Sequence, residues 1–517
     1  MKDRIVILDF GSQTTHLIGR RIRERGVYAE IVPGDSPVSE WLDGSVRGII
    51  LSGSPASVHD EGSPRPDSAV YRQGLPILGI CYGLQVTALM QGGTVAPSDT
   101  REYGPAPVKI NTDHALVEGL SRSFISWMSH GDTLRRLPEG SVEIASTSQG
   151  VPAIVSIPTL SFVGLQFHPE VSHTESGGAI LDNFATRLCG ARRQWSVENY
   201  LQQLEKDVRA KVQDKPVLLL ISGGVDSSVV AAALLKTLNP DQVHLMYVDT
   251  GLMRKDESRE IGAALKRLGA KNLYLVDAEE RFLTALAGVT EPEEKRTIIG
   301  DLFMTVQETE VLNRLPGEYL LAQGTLYTDL IESGDGVGRG ANTIKSHHNV
   351  ASPLVRTKRE AGLVVEPLAA LYKDEVRELG RLLGLPEEIV GRHPFPGPGL
   401  AVRILGEVTR ERCEILREVD ALYIQALRDA GLYDEIWQAF AVLLPIRSVG
   451  VAGDQRAYGE VIALRAITSR DGMTADVYGF QPEFLRNLAA NITNRIPQVG
   501  RVVYDCSGKP PATIEWE

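Results

Sequence analysis

Apolar residues come along this chain in short runs, separated by stretches where they recur every three or four positions. Between residue 3 and about 190 the runs IVILDF, GIILSG, PILGICYG and SFVGLQFHPE read as buried strands with helical patterns between them. That alternation predicts a largely parallel α/β domain with an antiparallel portion. After a link at Cys189–Gln194, the stretch Ser196–Gln213 is rich in Glu, Gln, Lys and Leu and predicts a helix capped by Ser196. A second alternating region starts at VLLLISGG, runs through HLMYVDTG and NLYLVDA, and ends near Gly391. Within it Glu291–Glu310 is charged at its start, which fits either a solvated helix start or a lid over a nucleotide. His393–Gly399 (HPFPGPG) cannot be helix or central strand. Beyond it a helical region (Arg410–Ala430) and the runs VLLPIRSVGV, YGEVIALRAI and RVVYDC predict an α+β domain. The predicted fold class is α/β: two doubly wound α/β domains, residues 1–192 and 193–392, then a smaller α+β domain over 393–517.

A length of 517 residues suits such a division. The formal net charge of -12 argues against electrostatic binding of nucleic acid, which wants a basic face. Cys81, Cys189, Cys413 and Cys506 lie far apart and form no C-x-x-C pair, which excludes a standard zinc site or disulfide framework and fits a reducing compartment. The first residues enter a strand-like run with no signal peptide, and no apolar stretch reaches the roughly 20 residues that span a bilayer. The expectation is a cytoplasmic, soluble protein with neither membrane nor nucleic acid as partner.

Candidate chemistry sits at two strand-to-helix turns. In the first, the apolar run ending at Ile221 is followed by Ser222, Gly223, Gly224, Val225, Asp226, Ser227 and Ser228, and Ser227–Leu238 reads as a helix. A strand, a glycine turn and a helix start aim free N–H groups and the positive end of a helix dipole at an anion. The lysine and spacing of the usual γ-phosphate loop are missing, so this is a cradle of another kind. In the second, Gly79 and Gly83 flank Cys81 as glycines flank the serine of a nucleophile elbow. A helix start there favours the thiolate. Gln166-Phe167-His168-Pro169-Glu170 supplies an imidazole at a strand end, with His168 as general base and acid and Glu170 to orient the ring. Leu51–Pro55, another strand-to-turn, offers backbone N–H groups for an oxyanion hole.

Ser222–Ser227 resembles the signature of the ATP pyrophosphatases, and the Cys81, His168 and Glu170 segments, with Asp9–Gln13, resemble the class I (triad) glutamine amidotransferases. That family usually reads Gly-Gly-Pro where this chain has Gly53-Ser54-Pro55; a serine still has an N–H, provided the local φ admits a side chain. Across nearly its whole length the chain resembles the glutamine-hydrolysing GMP synthase family. The segments carrying this are Arg501–Asp505 and Ser507–Glu517, with His393–Gly399, Ile344–Asn349 and Gln323–Tyr327. Thr328 stands where the family usually has proline.

The resemblance implies that glutamine, ATP and xanthosine monophosphate (XMP) are the substrates. Cys81, His168 and Glu170 would hydrolyse glutamine, with Gly53, Ser54 and Tyr82 at the oxyanion hole. ATP would lie over Ser222–Ser228 with Val248 on the adenine side, Asp226 holding Mg²⁺, and Lys373 on the pyrophosphate. Arg296 would reach XMP from the lid, Arg501 and Lys509 would take its phosphate, and Gln438, Asp454, Ile514 and Glu515 would lie near it. The family also implies a homodimer through the last domain. His347 and His348 are adjacent, so on a strand they would face opposite sides; structural or substrate-loop roles fit them better than a metal site. The competing readings are a related amidotransferase with another acceptor, such as those making NAD or asparagine or modifying tRNA, and a nucleotide-binding regulator without catalysis.

Overall fold

Strand Arg4–Asp9 sends alternate side chains into two different cores: Ile5 and Ile7 join one apolar cluster, Val6 and Leu8 the other. A strand buried on both faces must lie inside a layered α/β sheet. Helix Thr15–Arg23 covers one face with Ile18 and Ile22, and helix Tyr82–Met90 covers the other with Leu84, Val86 and Ala88. The computed structural model describes residues 3–315, 317–332, 353–452, 455–469 and 474–517. They divide into two compact units, Met1–Gln203 with Leu326–Ser346, and Leu204–Thr325 with His347–Glu517.

In the first unit Tyr28–Pro33, Arg4–Asp9, Val46–Leu51, Ile77–Ile80 and Phe162–Leu165 run parallel in that spatial order. Pro152–Ile157, Val142–Thr147, Thr94–Ile110 and Ser123–Arg136 extend the same sheet antiparallel. The parallel sheet with an antiparallel extension is the architecture the apolar runs predict. The order reverses at Arg4–Asp9, so the loops after Asp9 and Leu51 open the crevice where α/β sheets bind ligands.

In the second unit Asn272–Asp277, Val243–Asp249, Val217–Ile221, Leu320–Ala322 and Val364–Val365 form an all-parallel sheet. The reversal falls at Val217–Ile221, whose end carries the glycine turn. Further along, Gln438–Ala452 and Gln455–Thr468 pair antiparallel, and Val499–Tyr504 adds to the second in parallel. Ala439, Ala441 and Leu443 of that sheet share one core cluster with Leu416, Val419 and Tyr423 of helix Arg410–Asp429, and with Leu218, Met246 and Val248 of the parallel sheet. The fold is therefore α/β with a C-terminal α+β portion, and the predicted helix at 196–213 is Val197–Val212, with the Ser196 hydroxyl accepting from the Asn199 N–H at 3.2 Å. No helix among the described residues is long and apolar enough to cross a membrane.

Candidate active sites

Cys81 stands between strand Ile77–Ile80 and helix Tyr82–Met90 with φ 49 and ψ −99, a backbone that side-chain-bearing residues rarely adopt. The turn is this tight because the helix rides directly on the neighbouring strand. A Cβ at Gly83 would stand 2.4 Å from the Leu51 carbonyl oxygen, so only glycine fits there. The Cys81 N–H is held by the Leu165 carbonyl at 2.7 Å, which ties the elbow to the strand leading to His168.

His168 Nδ1–H donates to Glu170 Oε1 at 2.7 Å, and the other side of the ring hydrogen-bonds the Cys81 sulfur. Glu170 is buried, and its Oε1 also accepts from the Thr14 hydroxyl at 2.7 Å. Burial disfavours the imidazolium, but the Glu170 carboxylate and the Cys81 sulfur outweigh it, so His168 titrates well above its ordinary range. The three residues nominated from the sequence are thus one hydrogen-bonded set. A Cβ at Gly53 would lie 3.2 Å from His168 Cε1, which puts the Ser52–Pro55 loop against the ring. Ser54 does not have a positive φ, so its side chain is accommodated where the family usually has glycine. Tyr82 opens its helix, and its N–H has no partner four residues back. The sequence reading missed Thr14, Gln85 and Gln166. The last lies inside the quoted Gln166–Glu170 motif, yet one polar residue at a strand end carries no periodic signal.

At the other turn, strand Val217–Ile221 ends in Ser222, Gly223 takes φ 81, and Gly224 caps helix Val225–Thr237. The Ser222 hydroxyl accepts the Gly224 N–H at 3.3 Å, while the Ser227 and Ser228 hydroxyls donate back to the Gly224 carbonyl at 3.2 and 2.9 Å. Val225 is buried under the first helical turn. Lys373, the first residue of helix Lys373–Leu382, places Nζ 2.6 Å from both oxygens of Asp226. Val248 lies buried in the core near the end of its strand, in register with Val276 of the neighbouring strand. Arg392, unforeseen, donates to the Gly223 carbonyl at 2.9 Å and pairs with buried Glu257 at 2.5 Å.

The charged start of the segment at 291–310 is not simply solvated. It opens helix Pro292–Arg314, in which Lys295 is fully buried and donates to Glu517 Oε2 at 2.6 Å and to the Ile404 carbonyl at 2.7 Å. Arg296 donates to the Glu517 carbonyl at 2.7 Å. Buried Arg403, also missed, forks both oxygens of Glu515 at 3.1 and 2.8 Å, and Gln438 donates to the same carboxylate at 2.7 Å. Buried Arg465 holds the carbonyls of Thr513 and Ile514 at 2.8 and 2.7 Å. Arg501 is exposed, its Nε donating to the Ser448 hydroxyl at 2.8 Å, and Lys509 pairs through its backbone with Ala475. Asp454 and Ile344–Asn349, with His347 and His348, lie outside the described residues. Among the described residues no group of three or more His, Cys, Asp or Glu side chains is placed to hold a metal ion.

Fold and motifs define an ATP-using glutamine amidotransferase. The model of the family "Glutamine amidotransferase class-I" matches residues 6–188, "Asparagine synthase" residues 199–302, and "GMP synthase C terminal domain" residues 425–516. A "GMP synthase [glutamine-hydrolyzing]" of Rhizobium johnstonii is 50% identical, covering 100% of this chain and 99% of that protein. Proteins of the same description from Symbiobacterium thermophilum and Zymomonas mobilis are each 48% identical, covering 100% of this chain and 99% and 98% of their own length. The chain belongs to the glutamine-hydrolysing GMP synthases.

Proposed function

We propose that the two strand-to-helix turns divide the work of making GMP from XMP, ATP and glutamine-derived ammonia. The family membership carries the overall reaction; the hydrogen-bonded set Cys81, His168 and Glu170 supports the assignment of its first half. In that half Cys81 Sγ attacks the side-chain carbonyl carbon of glutamine, and the oxyanion meets N–H groups of Gly53, Ser54 and Tyr82. His168 passes the thiol proton to the departing ammonia, and water then releases glutamate from the thioester.

In the second half the N–H groups of Ser222–Ser228 receive the ATP phosphates, with Val248 beside the adenine and Lys373 moving from Asp226 to the pyrophosphate. Mg²⁺ fits at Asp226, because that ion takes one or two carboxylates and fills its remaining positions with phosphate oxygens and water. When bound it neutralises charge on the pyrophosphate. The XMP C2 oxygen attacks the α-phosphorus, pyrophosphate leaves, and ammonia then displaces AMP to give GMP. Arg501 and Lys509 take the XMP phosphate, while Arg296, Gln438, Asp454, Ile514 and Glu515 lie about the rest of the nucleotide. The Arg403 fork supports Glu515 as a fixed group there.

The same reading keeps three domains, 1–192 for glutaminase, 193–392 for ATP pyrophosphatase and 393–517 for XMP binding, in a cytoplasmic homodimer joined through the last. The exposed Ile446, Val449, Val451 and Tyr458 of its sheet support that face as the interface. The test is to incubate the purified chain with XMP, ATP–Mg²⁺ and glutamine and to follow products by chromatography. GMP, AMP and pyrophosphate in equal amounts are expected. GMP formed only with added ammonium would remove the glutaminase assignment, and no GMP from either donor would remove the acceptor.

A further inference from the structure

We infer that Gln166 is the donor that holds the Cys81 sulfur once its proton has passed to His168. This rests on Cys81 as the nucleophile. Gln166 is fully buried at the end of strand Phe162–Leu165, and its Nε2 lies 3.7 Å from Cys81 Sγ. The orientation of its amide is set from behind: Gln85 Nε2–H donates to Gln166 Oε1 at 3.4 Å and to the Asp132 carbonyl at 2.8 Å. With its oxygen engaged by a donor, Gln166 can turn only N–H toward the sulfur.

Sγ also lies 3.8 Å from the Ser129 carbonyl oxygen, an acceptor for S–H. The sulfur therefore has a partner in each protonation state. As thiol it has two acceptors in reach, the Ser129 carbonyl and the His168 ring. When the proton moves to His168 Nε2 the electron pair stays on sulfur, Ser129 has nothing to accept, and the Gln166 N–H meets the new negative charge. Around Sγ the charged partner is His168, backed by Glu170. A donor to a charged acceptor is about twice as strong as one to a neutral acceptor, so this contact favours the attacking form. Gln166 then acts on the rate of attack and not on the binding of glutamine.

The experiment compares the full chain with its Gln166→Leu variant, which keeps volume and removes the donor. Alkylation of Cys81 by iodoacetamide at one fixed pH is read as loss of glutamine-dependent GMP synthesis. It is expected to slow about tenfold, the scale of one charge-assisted hydrogen bond. The kcat with glutamine should fall by a similar factor, with KM for glutamine within about twofold. Gln85→Leu, which frees the Gln166 amide to turn over, should give the same pattern more weakly, and it carries the test if Gln166→Leu loses cooperative melting. An unchanged alkylation rate, or a raised KM with unchanged kcat, would overturn the inference. Cys81→Ala separates the two claims: if it still hydrolyses glutamine the nucleophile is wrong, whereas loss there beside wild-type alkylation of Gln166→Leu removes Gln166 alone.

Discussion

The turns at Cys81 and at Gly223–Gly224 share a plan, strand then tight turn then helix, yet distribute conformational strain in opposite ways. At the first, the residue in the unfavourable region (φ 49) is a cysteine, and the glycines stand on either side of it. At the second, glycine itself takes the positive φ (81), and no side chain is forced into a rare backbone. The strained cysteine sets its sulfur beside His168, and Glu170 holds that ring through Nδ1. The relaxed glycine turn offers backbone N–H groups, and its partners, Lys373 and Arg392, answer to charge. Strain falls on the turn whose central residue carries a side chain, and glycine takes the positive φ where the turn is made by backbone alone.

The sharpest way to break this contrast is to remove each centre. Cys81→Ala should lower glutamine-dependent synthesis about a thousandfold or more while leaving synthesis from ammonium intact. Asp226→Ala should stop synthesis from both donors, and wild-type turnover would refute its role with Mg²⁺. A smaller effect tests the backbone. Gly223→Ala sets a Cβ 2.9 Å from Ile261 Cδ1 and 3.0 Å from Glu257 Oε1 at a positive φ. It should cost about 1–3 kcal/mol in urea unfolding. At the elbow the sign should invert, with Cys81→Gly about 1 kcal/mol more stable than Cys81→Ala; equal stabilities would mean the elbow is unstrained.

The smallest effect concerns pH. His168 titrates above its usual value of about 6.5, so its protonated form adds stability that is complete below about pH 6.5 and is lost as pH rises through the raised value. Glu170→Gln should therefore destabilise the fold more at pH 6 than in alkaline buffer above that value. A pH-independent difference in urea midpoints would show that the pair is not set by charge.

Both turns were legible because their signals are local. Buried parallel strands are continuous apolar runs, and glycines beside a cysteine or after a serine mark sharp turns over a few residues. Val217–Ile221, helix Arg410–Asp429 and the strands after 438 all fall where those patterns place them. The partners of the site residues were less legible. Thr14 reaches Glu170 across 156 positions, and Lys373 reaches Asp226 across 147. Lys295 reads as the solvated start of a helix and is buried on Glu517.

By itself the sequence determined the alternation of strands and helices and the two strand-to-helix turns that carry Cys81 and Asp226, since each depends on neighbours a few residues away. Only the tertiary structure decided that Arg403 forks Glu515, that Gln85 turns the Gln166 amide toward sulfur, and that Ser54 has a permissive φ. The first two follow from which buried polar groups meet when distant segments of the chain close on one another. A buried donor or charge must find a partner wherever packing puts one, and no spacing along the chain encodes that distance.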